Sequence, residues 1–177
     1  MRIISGTHKG RRFLPPSTFK ARPTTDLAKE ALFNVLINRL DLDTLKVLDL
    51  FSGTGSISYE FASRGCESIT SVEMNYSHWQ FIKKTSQEFG FDQAIIPLKA
   101  DVFKFIKTTG GVYDLIFADP PFDLINFETI PDLIFEKSCL AADGLLIIEH
   151  SDRISFANHP HFKELREYGK VNFSFFR

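Results

Sequence analysis

Two short runs of this chain combine residue types that could do chemistry: DLFSGTGS, Asp49 to Ser56, and FADPPF, Phe117 to Phe122. In the first, Gly53 and Gly55 follow an apolar stretch, and backbone without a side chain lets a ligand come close to the chain. A dinucleotide fingerprint would carry a third glycine at position 58, where Ser58 stands, so the turn alone is a weak signal. Two carboxylates strengthen it. Glu73 ends the next apolar run, where it can accept hydrogen bonds from ribose hydroxyls. Asp101 follows the third, where it can accept from an adenine amino group. Gly53, Gly55, Glu73 and Asp101 could outline a nucleoside pocket, although each carboxylate alone reads equally as a helix cap or a solvated loop residue.

The second run is more specific. Pro120 and Pro121 fix the backbone and remove two amide donors, which leaves neighbouring carbonyls as acceptors. Asp119 adds a carboxylate and Phe122 a flat aromatic face. Acceptors beside an aromatic plate suit an exocyclic amine on a nucleobase. The competing reading is a rigid loop with a core phenylalanine.

Both runs need elements to position them. Apolar runs at 46–50, 68–73, 94–98, 113–118 and 145–150 read as strands, with Pro97 weakening the third. Helical patterns lie between them at 56–64, stopped by Gly65, and at 77–89 and 130–137. RPTTD leads into a helix of about 15 residues, capped by Thr25 or Asp26, with Ala28, Leu32, Val35, Leu36 and Leu40 on one face. The tail REYGKVNFSFF reads as a closing hairpin, and RIISG with RRFLPP as a hairpin at the start. The pattern predicts an α/β fold, a Rossmann-like, doubly wound, mostly parallel seven-stranded sheet with an N-terminal basic hairpin arm. In such sheets ligands bind at the carboxyl ends of the strands, where both runs fall.

Length and composition fit one globular domain, and most of the nineteen phenylalanines are expected in its core. The net charge of −1 hides an asymmetry: residues 1–22 hold Arg2, Lys9, Arg11, Arg12, Lys20 and Arg22 and no acid, which leaves −7 on the rest. A basic arm on an acidic body suggests a polyanionic partner, against the alternative of a solvated terminus. Cys66 and Cys139 fit reduced thiols, His159 to His161 a polar loop rather than a metal site, and no run reads as a signal peptide or a membrane span.

DLFSGTGS, VEMN, the AD at 100–101 and DPPF resemble the successive motifs of S-adenosylmethionine-dependent class I methyltransferases. The opening RIISGTHKGRRF and RPTTDLAKEALFN narrow the resemblance, over nearly the whole chain, to the bacterial 16S ribosomal RNA guanine-N2 methyltransferases. This resemblance implies S-adenosyl-L-methionine as cofactor, with Asp49 near its methionine amino group and Phe51, Gly53 and Gly55 beside it. Glu73 would hold the ribose, Met74 would lie near the adenine, and Asp101 and the Val102 backbone would address the adenine edge. Asp119, Pro120, Pro121 and Phe122 would grip the guanine amine. It further implies an RNA-binding arm over 1–22 and a methyltransferase domain over 23–177. The protein would be a cytoplasmic monomer acting on 16S ribosomal RNA or the small-subunit particle, without metal or membrane. Ser58 and Leu27 depart from the family pattern; Ser58 is expected to affect packing more than cofactor binding, and Leu27 the hold on RNA. The alternatives are an amino methyltransferase for adenine N6 or protein glutamine, or a dehydrogenase or non-enzymatic RNA binder.

Overall fold

Seven strands form one sheet in the order β3-β2-β1-β4-β5-β7-β6, comprising β1 (Lys46–Leu50), β2 (Ser68–Glu73), β3 (Ile95–Lys99), β4 (Tyr113–Ala118), β5 (Leu140–His150), β6 (Phe162–Tyr168) and β7 (Val171–Phe176). The first five are parallel, and β7 runs antiparallel between β5 and β6. This computed structural model describes residues 1–17, 19, 24–121 and 123–177. The helices are α1 (Asp26–Ile37), α2 (Ser56–Ser63), α3 (Tyr76–Glu88), α4 (Val102–Thr108) and α5 (Ile130–Glu136). Among the described residues, no helix is long and apolar enough to cross a membrane.

Strand alternation sends neighbouring side chains to opposite faces. Val47, Leu115 and Ile147 pack with Leu32, Phe33, Phe61 and Ile82 from α1, α2 and α3. Leu48, Ile116 and Leu146 pack with Ile106, Ile130 and Ile134 from α4 and α5 on the other side. Both layers are therefore filled from apolar runs visible in the sequence. Phenylalanines carry much of this core, Phe33, Phe61, Phe117, Phe173, Phe175 and Phe176 being almost wholly buried.

Several elements differ from expectation. The first helix is 12 residues long, not about 15, and Thr25 caps it by accepting the Ala28 N–H. The third strand is displaced by one residue; it is an edge strand, which is where a proline such as Pro97 is tolerated. Helix α4 has no counterpart in the sequence reading, because its seven residues are too few for a helical period to stand out. The first hairpin shrinks to one bridge, between Arg2 and Arg12.

That arm is fixed to the body. Ile3 and Phe13 are buried in the core layer of α1 to α3. The Glu60 carboxylate accepts the N–H groups of Ile4 (2.8 Å) and Ser5 (3.0 Å), and the Thr7 N–H donates to the Ser63 carbonyl at 2.7 Å. Lys29, fully buried, donates to the Arg2 carbonyl and the Ser56 hydroxyl and lies 3.5 Å from Glu60. Burial lowers its pKa while Glu60 opposes that shift. An unpaired ammonium there would be costly, so the lysine is held by three oxygens that join the arm, α1 and α2.

Candidate functional site

Strand order reverses between β1 and β4, and a cavity of about 580 Å³ opens at their carboxyl ends. The parallel register places it: Leu50 lies beside Val72 on one side and Ala118 on the other, and Ala118 beside Ile148. The next residues along these strands, Phe51, Glu73, Asp119 and Glu149, therefore end in one row. Asp49, Phe51, Gly53, Glu73, Met74, Asp101, Val102, Asp119, Pro120 and Pro121, all singled out in the sequence, line the cavity together. Phe122, Lys20 and Arg22 lie outside the described residues.

Gly55 is corrected. It does not line the cavity, and a Cβ there would fall 2.7 Å from the Tyr59 ring, so its missing side chain makes room for α2's own tyrosine. At Gly53, with φ +53°, a Cβ would meet only the Phe51 carbonyl at 3.8 Å, so close approach to this glycine is open. Phe51 itself adopts φ 58°, a left-handed conformation that costs a non-glycine residue about 1–3 kcal/mol and tends to occur at functional sites.

The carboxylates divide by their partners. Glu73 accepts the Gly53 N–H at 2.9 Å through one oxygen and the Asn75 N–H at 2.7 Å through the other. It thus ties the glycine turn to the entry of α3. Asp101 caps α4 by accepting the Lys104 N–H at 2.9 Å and also faces the cavity. Asp49 is buried, and desolvation pushes its pKa up to about 7 against the pull of the Ser58 and Ser52 hydroxyls, with Glu73 adding to the rise. The Ser58 hydroxyl donates to Asp49 and pairs with Ser71. The departure at Ser58 therefore acts on a cavity carboxylate, not on packing alone.

Two residues of the site were missed in the sequence. Glu149 is buried at the end of β5, and Thr24 donates to it at 2.6 Å while lining the cavity. Desolvation raises Glu149 to about 7, opposed by the Thr24 hydrogen bond. Asp119 is raised well above the carboxylate range, first by desolvation and then by Glu149 and Asp49. A carboxylate ending the apolar run LLIIEH was the available signal; its partner, 125 residues away, was not readable.

The arm's cations separate too. Arg2 pairs with Asp26 at 3.2 Å, and Arg11 donates to the Glu88 carbonyl at 2.9 Å with its guanidinium 4.1 Å from the centre of the Phe89 ring. Both are engaged within the protein. Lys9 and Arg12 are exposed, with no ion pair among the described residues.

The cavity is thus rich in hydrogen-bond acceptors and suits a ligand rich in donors. Among the described residues no group of histidine, cysteine and carboxylates could hold a metal ion. Cys66 and Cys139 are buried and unbridged.

The chain is 30% identical to the ribosomal RNA small subunit methyltransferase D of Escherichia coli K12, over 84% of this chain and 74% of that one. Its fold matches that of a Thermus thermophilus protein described as hypothetical, with a TM-score of 0.86 at 23% identity, covering 100% and 99% of the two chains. A ribosomal protein L11 methylase from Lactobacillus delbrueckii subsp. bulgaricus shares the fold with a TM-score of 0.64 at 19% identity, over 87% of this chain and 80% of that one. The family model described as conserved hypothetical protein 95 matches residues 1–177, and the chain belongs to that family.

Proposed function

We propose that the protein methylates ribosomal RNA, moving a methyl group from S-adenosyl-L-methionine to the exocyclic N2 amine of a guanine in 16S ribosomal RNA. The observation that carries this reading is the single cavity shared by the glycine turn, Glu73 and Asp101 on one side and Asp119, Pro120 and Pro121 on the other. The cofactor presents an ammonium, ribose hydroxyls and an adenine amine, all donors, and the cavity answers with carboxylates at Asp49, Glu73 and Asp101. The bound cofactor supplies a methyl already activated by its sulfonium.

In this reading Asp49 faces the ammonium, and the open approach at Gly53 admits the ligand next to the backbone. Glu73, held by two amides, keeps its remaining lone pairs for the ribose hydroxyls. Asp101 and the Val102 backbone meet the adenine edge, with Met74, 65% exposed, at the rim. The guanine amine is a poor nucleophile because its lone pair is delocalised into the ring. Acceptors at Asp119 and the Pro120 backbone orient it towards the methyl, and orientation is the larger part of catalysis when the electrophile is pre-activated. The amine loses a proton on methylation, and Asp119 takes it from the ionised form, which the donating amine and the departing positive charge favour in the complex. A base must leave its stack to reach such a pocket, which favours one in a loop. Lys9 and Arg12, exposed and without an ion pair among the described residues, meet phosphates.

The test is methyl transfer to small-subunit ribosomal RNA from cells lacking this gene, followed by nucleoside analysis. N2-methylguanosine is expected. N6-methyladenosine would move the protein to the adenine class, and no transfer to RNA would end the reading. RNA affinity should also fall with salt, and Lys9→Ala with Arg12→Ala should flatten the log–log slope by up to about 0.7 per lost phosphate contact.

A further inference from the structure

A second groove, of about 1010 Å³, runs along the outer face of α3 beside the returning arm. One wall carries Arg12, Leu14 and Phe19, and the other Tyr76, Trp79 and Lys83. Tyr76 and Trp79 lie three residues apart on the helix, on one face, with ring centroids 5.7 Å apart and planes 34° from parallel. Both rings are held. The Trp79 indole N–H donates to the Pro97 carbonyl at 3.0 Å, and Gln80 donates to the Tyr76 hydroxyl at 2.6 Å. Cations stand over them, with Lys83 Nζ 5.6 Å from the indole centre and Lys99 Nζ 5.8 Å from the tyrosine centre. Tyr76 is nevertheless 54% exposed and Leu14 82% exposed, so apolar surface stays open at the groove.

The charge here is the reverse of the chain's. Arg12, Lys83 and Lys84 line the groove, and its carboxylate, Glu88, is 3.7 Å from Lys84. The net charge of the whole chain is −1. An exposed ring at Tyr76 and a half-buried one at Trp79, both oriented and interleaved with cations, match the pattern that stacks bases and meets phosphates on single-stranded nucleic acid. The groove also adjoins the first cavity: Phe19 packs 4.2 Å from the ring of His78, and His78 lines that cavity.

We propose that this groove is a subsite for single-stranded nucleotides flanking the methylated one, with bases stacking on Tyr76 and Trp79 and phosphates meeting Arg12, Lys83 and Lys84. The subsite rests on RNA being the substrate, and it assigns a second RNA contact besides the tip of the arm. Stacking tolerates any base, so it adds affinity without choosing the sequence.

Trp79 is the only tryptophan of the chain, so its fluorescence reports the groove directly. Titrating the full chain with a short oligouridylate should quench it saturably, and more weakly as salt rises. Tyr76→Ala, Trp79→Ala, and Lys83→Glu with Lys84→Glu should each raise KM for deproteinised small-subunit ribosomal RNA about tenfold. The rate at saturating RNA and the cofactor Kd should stay as in the wild type, and Trp79→Phe should restore KM, since a ring suffices. Tyr76→Ala removes an exposed side chain, which keeps the test valid if Trp79→Ala fails to fold. An unquenched indole, with KM unchanged in all variants of an enzyme that does methylate RNA, overturns the subsite. So does a KM rise confined to the assembled particle, which would make the occupant a protein. Quenching by the oligonucleotide in a protein that transfers no methyl to RNA would keep the groove and reject the substrate.

Discussion

The two sides of the cavity treat their carboxylates in opposite ways. On the β2 and β3 side, backbone amides reach the acids: Gly53 and Asn75 donate to Glu73, and Lys104 donates to Asp101. On the β4 and β5 side, prolines at 120 and 121 withhold amides, and the hydroxyl of Thr24 is the donor that Glu149 receives. The first side is preorganised by the fold itself. The second is short of donors, and desolvation raises the Asp119 carboxyl above its ordinary range and brings Glu149 to about 7. The difference suits a cofactor held in one fixed pose and a substrate amine that supplies the missing donors and gives one proton up.

The largest expected effect breaks the second side alone. Asp119→Ala should lower the methyl-transfer rate by about 10²–10³, the usual loss when a preorganised polar group at the reacting centre is removed. Cofactor Kd should change by less than about threefold, because the proposed cofactor contacts lie on the other side. Single-turnover transfer and calorimetry on the same variant check this, and near-normal turnover would return Asp119 to a structural role. Glu73→Ala should do the reverse. It frees two amides and removes the ribose acceptor, so cofactor binding should weaken by about 1–3 kcal/mol, with a smaller loss of rate at saturating cofactor. If both variants changed binding and rate alike, the two sides would not be functionally distinct.

How much of this was legible in the sequence follows the same division. The first side was readable because its parts are local. β1, β2 and β4 occupy the residues the apolar runs mark; Gly53 lies in the turn after β1, Glu73 ends β2, and Asp101 comes two residues after β3. DPPF was equally visible. What the sequence hid depends on contacts across the chain, such as Thr24 with Glu149 or Ser58 with Asp49. Arg11 read as one more phosphate contact, until Phe89 and the Glu88 carbonyl were found to occupy it. Periodicity was also silent at α4, which is only seven residues long, and at the first half of β5, where LAADG carries no strand signal.

The donor-poor side should reveal itself in stability. Glu149 holds its proton more tightly folded than unfolded, rising from 4.5 to about 7. Its contribution is therefore fully present below pH 4.5 and is lost as pH rises through 7. Between pH 5.5 and 7.5 that loss is about 2 kcal/mol, or about 4–8 °C in Tm for a chain of this length. Glu149→Gln, which can still accept from Thr24 and cannot ionise, should make the Tm profile shallower over that range, the slope that remains coming from Asp49 and Asp119. An unchanged slope would mean that water reaches Glu149 and that the two sides are alike.

Asp49 sits between the sides, on central β1, and sharpens the comparison most finely. It has a hydroxyl donor in Ser58, yet desolvation still brings it to about 7. The proposed ammonium partner needs the ionised form, which below that value is the minor one. Cofactor binding should then release a proton, and the apparent Kd should rise as pH falls, by up to tenfold per unit below 7, and level off above it. Ser58→Ala removes the donor that favours the ionised form, so it should move this inflection to higher pH and leave the plateau Kd nearly unchanged. Asp49→Asn should abolish the pH dependence and raise Kd at every pH. Calorimetry in buffers of different ionisation enthalpy measures the proton released. A Kd that stays flat from pH 6 to 8 in the wild type would remove the ammonium from Asp49 and leave Glu73 and Asp101 as the cofactor's acidic contacts.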